Sequence, residues 1–288
     1  MNIEHVSDTA RWVAVYRVME SERADAHFRD PFARRLAGEQ GEAIVRGMSR
    51  GRQMAWPMIV RTAVFDEIIL DCVRSRGADL VLNLAAGLDA RPWRLDLPGS
   101  LRWVDVDLPG MVEYKAEVMA GERPRCRYEA ISADLADPAQ RDDALGRAAA
   151  GSERALVVTE GLLVYLEPDD VGALAAALAA RPAFRWWLTD LASPRLMKMM
   201  QKWWSKGMDK GSARFRFAPA ESSAFFAPYG WREAAWRPTI EDADRLRRTP
   251  RGMWLWKLLG KLQPKRKQEE MRRFAGNLLL ERANAAQA

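Results

Sequence analysis

Residues 79–91, DLVLNLAAGLDAR, constrain the fold of this chain more than any other stretch. Val81, Leu82 and Leu84 make a short, β-rich apolar run of the kind found in strands covered on both faces of a parallel sheet, where hydrophobic alternation is not required. Ala85, Ala86 and Gly87 then strip side chains from the turn. A ligand can approach the backbone there and meet the open amides of the helix expected to follow. A second strand is expected over residues 101–106, with Asp105, Val106, Asp107, Leu108 and Pro109 at its end. Asp107 follows Gly87 by 20 positions, the spacing at which an acid after the second strand of a doubly wound sheet reaches a ribose diol. Together these features predict a nucleoside-binding half-domain.

The loop narrows the choice of nucleoside. It lacks the third glycine of GxGxxG, and Asp89 stands beside the place of a pyrophosphate, which a second anion disfavours, although Arg91 is close by. S-adenosylmethionine carries no phosphate and presents an ammonium and a sulfonium, so a loop of small residues with an acid suits it better. Two more strands are expected to end in carboxylates. Ile131, Ser132, Ala133, Asp134 and Leu135 close a third strand, where an acid with a free amide beside it can recognise an adenine edge. Residues 156–161, LVVTEG, close a fourth and put Glu160 at the mouth of the central crevice, where open α/β sheets bind ligands. One such acid alone could simply cap a helix or face water. Three of them in register with the glycine loop point to a site.

NLAAGLDARPWRL, WVDVDLPGMVEYK, ISADLAD and VVTEGLLVYL resemble, in order, the motifs of class I S-adenosylmethionine-dependent methyltransferases of the leucine carboxyl methyltransferase type, a group that includes bacterial polyketide O-methyltransferases similar to the tetracenomycin enzyme. The resemblance extends upstream through TARWVAVYRVMESERADAHFRDPFARRLAG and RTAVFDEII, covers roughly residues 5–190, and continues loosely through FFAPYGWRE. It implies an α/β, Rossmann-like fold with a seven-stranded, mostly parallel sheet, helices on both faces and the last strand antiparallel. By the same resemblance, Arg61 reaches the methionine carboxylate of the cofactor, Gly87 underlies the methionine with Ala85 at the first small position, and Asp107 binds the ribose. Asp134 and Leu135 hold the adenine, and Glu160 lies near the methionine ammonium.

The rest of the chain fits one domain. At 288 residues and 48% hydrophobic content it can bury a full core, and no Pro/Gly/Ser-rich linker divides it. Residues 1–55 read as an N-terminal helical lid, 56–192 as the cofactor-binding core, and 193–288 as a cap insertion with the last strands. Ser7 and Asp8 are N-cap candidates for a helix to about Met19, along which Trp12, Val15, Tyr16 and Met19 recur at helical spacing. Asp30 and Pro31 open another helix, which Gly38 closes. A long helix is expected from Pro57 to about Arg76, with Gly77 just past its end. Pro109, Pro138 and Pro168 start three more, Gly121 ending the first. Residues 184–191 make a fifth strand, residues 232–238 a sixth and residues 277–281 a seventh. This alternation predicts a parallel sheet with right-handed crossovers.

Residues 194–217 read as an inserted cap, with Arg195, Lys198, Lys202 and Lys206 on one side of a helix and Leu196, Met200, Trp203 and Trp204 on the other. Such a stripe is either a solvated face or a lure for an acidic substrate. Met253, Trp254, Trp256 and Lys257, with Lys265, Arg266 and Lys267, form a second aromatic and basic cluster. The 12 tryptophans suit a pocket for a flat ligand or ordinary core. A net charge of +6 permits nucleic-acid binding, but the basic residues are scattered and no reading motif accompanies them. Cys72 and Cys126 specify neither a disulfide framework nor a metal site, and a reduced cytoplasmic setting is expected. No signal peptide or membrane-spanning run of ~18 apolar residues is present in the sequence.

The expected function is therefore metal-independent O-methylation of a small acceptor, acidic or aromatic, through a carboxylate or a phenol. Tyr165 and Asp190, after the fourth and fifth strands, are the candidate catalytic residues. Structural hydrogen bonding is the competing role for both. His5 and His27, the only histidines, are more readily structural than basic catalysts. The alternatives are a methyltransferase acting on a protein C-terminus, a dinucleotide-dependent oxidoreductase, and a non-catalytic nucleoside-binding protein.

Overall fold

The central apolar run becomes β1 (Leu80–Leu84), buried at every position. In this computed structural model, which describes residues 6–48, 51–204, 214–250, 252–253, 260 and 263–283, β1 lies between β2 (Arg102–Asp107) and β4 (Ala155–Thr159), parallel to both. Outside them run β3 (Arg127–Ser132) against β2 and β5 (Phe184–Ala192) against β4, again parallel. β7 (Ala275–Arg282) is inserted antiparallel between β5 and β6 (Trp231–Pro238). The order β3-β2-β1-β4-β5-β7-β6 reverses direction between β1 and β4, which opens a crevice at the carboxyl ends of those two strands. The sheet is seven-stranded and mostly parallel, and its sixth and seventh strands fall where the sequence places them.

Ten helices carry the connections among the described residues: α1 (Val6–Ser21), α2 (Ala33–Gly47), α3 (Ala55–Arg74), α4 (Arg91–Arg94), α5 (Pro109–Val118), α6 (Pro138–Ala149), α7 (Pro168–Ala179), α8 (Pro194–Trp204), α9 (Thr239–Arg245) and α10 (Lys265–Arg272). Proline opens α4, α5, α6 and α7, where its missing N–H has no helical partner to lose. Asp137 caps α6 by accepting from the amides of Ala139 and Gln140. Three local expectations change. The first helix begins at Val6, ahead of both proposed caps. Gly38 does leave helical geometry, at φ 60 and ψ −177, but as a kink after which α2 continues to Gly47. The helix after the glycine loop is a single turn, Arg91–Arg94, so the amides facing the crevice belong chiefly to the loop itself.

Alternate residues of β1 feed two cores. Val81 joins Trp12, Tyr16, Val64, Trp103 and Leu188 on the side of α1 and α3, while Leu80, Leu82 and Leu84 join Val157, Leu174, Trp187 and Phe226 on the side of α6 and α7. Most of the tryptophan that the structure describes is core: Trp103, Trp187 and Trp231 are fully buried. Trp187 meets Phe226 edge-on at 5.1 Å and Trp231 at 5.7 Å; cutting such a side chain to alanine costs about 3–5 kcal/mol. No helix among the described residues is long and apolar enough to cross a membrane.

Candidate active site

A cavity of about 750 Å³ opens at the carboxyl ends of the central strands. Its floor is the loop after β1, where Ala85 and Gly87 adopt left-handed φ values of 53 and 51. Glycine takes that conformation freely, whereas for alanine it is strained. A side chain on Gly87 would also press against Ala10 of α1, at 3.2 Å. Asp107, from the end of β2, accepts from the amides of Gly87 at 2.6 Å and Leu108 at 2.8 Å, one on each oxygen. Burial raises the pKa of Asp107 against the pull of those two amides. Each oxygen keeps a lone pair for a further donor.

Across the floor lies a buried charge cluster. Arg61 of α3 donates Nε to Glu160 at 3.0 Å and Nη1 to Asp190 at 3.1 Å. Arg91 Nη1 lies 2.7 Å from both Glu160 and Asp89, and its Nε donates to Asp66 at 2.6 Å. Arg94 grips Asp66 with both terminal nitrogens, at 2.6 and 2.7 Å. Burial works against the ionised form of Glu160, but the Arg91 and Arg61 charges win and hold its pKa below the usual value. The same contest, with Arg91 foremost among the cations, lowers that of Asp89. Asp89 also accepts from Asn83 at 3.1 Å. It is thus a paired carboxylate rather than a bare anion in the loop, which removes most of the like-charge argument against a pyrophosphate. The four acids Asp66, Asp89, Glu160 and Asp190 face the three arginines, leaving one negative charge in excess.

Arg61, Ala85, Gly87, Asp107, Glu160, Tyr165 and Asp190 all line the one cavity. Asp134 and Leu135 stand apart from its lining, beyond the end of β3. Asp134 is exposed, with its carboxylate accepting from the Ala136 amide at 2.9 Å and its own amide donating to Gln140 at 3.1 Å. Neither candidate catalytic side chain is a free base. Asp190 accepts from the Gly161 amide at 2.6 Å on one oxygen and from Arg61 on the other. Burial pushes the Tyr165 phenol up to about 12, against a hydrogen bond with Thr9, and its ring stacks on Phe215 at 5.6 Å.

The N-terminal segment closes one side of the cavity through Thr9, Ala10, Arg11, Trp12 and Val13. Arg17 ties α1 to the glycine loop, donating to the Leu88 carbonyl at 2.6 Å and to Asp30 at 2.8 Å. Arg11 ties it to α5 through the Tyr114 hydroxyl at 2.7 Å. On α8, Leu196 and Met200 line the cavity while Arg195, Lys198 and Lys202 are exposed. Lys206, Trp254, Trp256, Lys257 and His5 lie outside the described residues, as do the side chains of Trp203 and Trp204. Lys265, Arg266 and Lys267 are exposed on α10. His27 is exposed and meets the Leu246 carbonyl at 2.6 Å, away from the cavity. Cys72 and Cys126 are buried free thiols.

Sequence reasoning passes over Asp66, Arg94 and the buried set beneath Asp107, in which Asp105 accepts from Lys115 at 2.7 Å, Trp103 at 2.8 Å and Tyr128 at 2.9 Å. The available signal is a charge at a core position: Asp66 interrupts the apolar run AVFDEII, and Asp105 interrupts WVDV.

A reversing parallel sheet with an antiparallel seventh strand, a small-residue loop after β1 and an acid ending β2 define a Rossmann-like class I methyltransferase fold. Within that class, the model of the leucine carboxyl methyltransferase family matches residues 10–179, and the chain belongs to that family. A Streptomyces coelicolor protein provisionally named an S-adenosyl-L-methionine-dependent methyltransferase is 35% identical over 191 residues, 61% of this chain and 65% of the relative. The match thus spans just under two thirds of that relative's length. A Mycobacterium tuberculosis protein with the same provisional name is 30% identical over 247 residues, 79% of this chain and 74% of its own. Among solved structures, a DUF574 family protein from Streptomyces avermitilis superposes with a TM-score of 0.55 at 13% identity over 97% of both chains. A Thermobifida fusca protein provisionally titled a methyltransferase gives 0.53 at 16% identity over 94% of both. These two likenesses establish the fold.

Proposed function

We propose that the chain is an S-adenosylmethionine-dependent O-methyltransferase acting on a small apolar or aromatic molecule, through a carboxylate in preference to a phenol. One observation carries the reading. The Gly87–Asp107 floor and an apolar wall of Leu162, Val164, Leu196, Met200 and Phe215 belong to a single cavity, so cofactor and acceptor would share one volume. The donor set fits the cofactor: a bare backbone at Gly87, spare lone pairs on Asp107, a guanidinium at Arg61 and one excess negative charge suit a zwitterionic amino acid carrying a sulfonium. When bound, S-adenosylmethionine supplies a methyl carbon made electrophilic by that sulfonium.

Each residue then has a definite task. Asp107 accepts from the ribose hydroxyls, Gly87 gives the methionine portion an unobstructed surface, Arg61 meets its carboxylate and Glu160 stands by its ammonium. Asp190 holds the Arg61 guanidinium and the Gly161 amide in place. Alignment and exclusion of water are the larger part of the protein's contribution. Asp190 is occupied and Tyr165 stays protonated at neutral pH, so the described lining offers no free base. A carboxylate arrives already ionised at pH 7, whereas a phenol with a pKa near 10 does not, and this favours carboxyl methylation. The buried free thiols suit a reducing compartment, and a cytoplasmic setting belongs to the same proposal.

The test is release of S-adenosylhomocysteine from purified protein given S-adenosylmethionine with 2-naphthoate, 2-naphthol or 2-naphthylamine. Turnover with the carboxylate, at a rate flat between pH 6 and 9, is the expected outcome. Transfer to the amine with none to either oxygen nucleophile overturns O-methylation.

A further inference from the structure

Asn277 of β7 is 1% exposed and lines the cavity, yet its side-chain Nδ2 has no hydrogen-bond partner. Buried donors without partners are rare in native proteins and destabilising where they occur. Neither neighbouring strand meets this one. Asn277 is in register with Asp190 on β5 and with Arg237 on β6, and register partners present their side chains on the same face of a sheet. Asp190 accepts from Gly161 and Arg61 and makes no bond with the Asn277 amide. Arg237 carries only donors, and these are engaged by Asp242 and Glu67. The amide nitrogen is therefore buried at the cavity wall with no acceptor among the described residues.

Its position assigns it to one end of that cavity. β7 stands three strands along from β1 in the sheet order, about 14 Å at ordinary strand spacing, so Asn277 is remote from Gly87 and Asp107. The same end of the cavity is lined by Thr239 of α9 and by Leu191 and Ala192 at the end of β5. On the reading above, this is the end left for the methyl acceptor.

We infer that Asn277 is a specificity-determining residue whose side-chain amide donates to a carbonyl or carboxylate oxygen of the methyl acceptor, selecting oxygen-bearing apolar molecules over hydrocarbons of the same shape. The inference rests on the methyltransferase reading for the identity of the ligand, but the recognition it describes can be measured without turnover.

Three probes of matched shape serve: 2-naphthoate, 2-acetylnaphthalene and 2-isopropylnaphthalene, measured by equilibrium dialysis against the full chain with and without S-adenosylhomocysteine. Wild-type protein should hold at least one oxygen-bearing probe about tenfold or more tighter than the hydrocarbon. Asn277→Leu should bring that ratio close to one, leave S-adenosylhomocysteine affinity unchanged, and raise the Tm of the ligand-free protein by removing the unmet donor. Asn277→Ser, which keeps a donor, should retain part of the preference. Asn277→Asp separates the two oxygen chemistries, since it repels the carboxylate and leaves the ketone without a donor. A ratio unchanged by Asn277→Leu, equal wild-type binding of all three probes, or binding of none overturns the assignment. A lower Tm in Asn277→Leu also overturns it, because the amide then has a trapped water or another partner. Failure of S-adenosylhomocysteine to bind sinks the methyltransferase reading, while the probe ratio still decides the role of Asn277.

Discussion

Replacing Arg91 by methionine removes the centre of the buried charge cluster and nearly preserves its volume. Arg91 is 2% exposed, and its guanidinium contacts three carboxylates: Asp66 at 2.6 Å, Asp89 at 2.7 Å and Glu160 at 2.7 Å. In the variant Asp66 keeps both bonds from Arg94 and Glu160 keeps Arg61. Asp89 keeps only neutral donors, Asn83 and the backbone amide at position 91. Deleting one partner of a buried ion pair costs about 3–5 kcal/mol, most of it the penalty of the charge left behind. With Tm falling about 2 °C per kcal/mol at this chain length, the expected loss is about 6 °C or more. Asp89→Asn in the same background removes the stranded charge, so the double variant should regain a measurable part of that loss. Calorimetric unfolding of both single variants and the double variant provides the cycle. A loss of less than about 1 kcal/mol in Arg91→Met, or strict additivity in the double variant, would refute the claim that Arg91 holds these carboxylates as one unit.

Other consequences follow from the site. Asp107→Ala should weaken S-adenosylmethionine binding more than about tenfold in a folded protein, because the ribose diol loses its acceptor; titration calorimetry reads this directly. Asp190→Asn should raise KM for the cofactor and leave the shape of the pH–rate profile intact, since the side chain braces Arg61 and moves no proton. A profile that loses its acidic limb would instead make Asp190 a base. Acid should act in two stages. The pKa of Asp107 is raised by burial, so cofactor affinity should fade first as pH falls towards the upper carboxylate range. The pKa values of Asp89 and Glu160 are lowered by Arg91 and its neighbours despite burial. The stability they add is complete above about pH 4–5, the unfolded carboxylate range, and disappears as pH falls through their lower folded values. Cofactor titration and thermal melts across pH 3–7 separate the two stages.

The strands were legible because a parallel sheet covered on both faces demands short apolar runs at regular intervals, and residues 80–84, 155–159 and 184–192 supply them. Their small-residue and acidic ends were legible for the same reason, since Gly87, Asp107 and Glu160 each break an apolar run at its carboxyl end. Helix starts were read well where proline marks them, as at Pro109, Pro138 and Pro168, and poorly where they depend on tertiary contacts, as at Val6. Buried charge was the least legible feature. Asp66, Arg91 and Arg94 come from two segments whose pairing exists only after folding, and helical periodicity leads one to expect an apolar side chain at position 66. The same blindness hid Asn277, which lies in a strand otherwise made of Leu278, Leu279 and Leu280 and draws notice only once the neighbours that fail to satisfy it are in place. Tyr165 and Asp190 both line the cavity; what spacing could not supply is that one is tied to Thr9 and the other to Arg61 and Gly161.

The central claim is that the cavity over Gly87 and Asp107 holds S-adenosylmethionine rather than a dinucleotide. Calorimetric titration of the purified chain with S-adenosylmethionine, S-adenosylhomocysteine and NADH tests it most directly, the more so because paired Asp89 no longer excludes a pyrophosphate by charge alone. The account predicts micromolar binding of the first two and none of the third. Binding of NADH with neither sulfur ligand would contradict it.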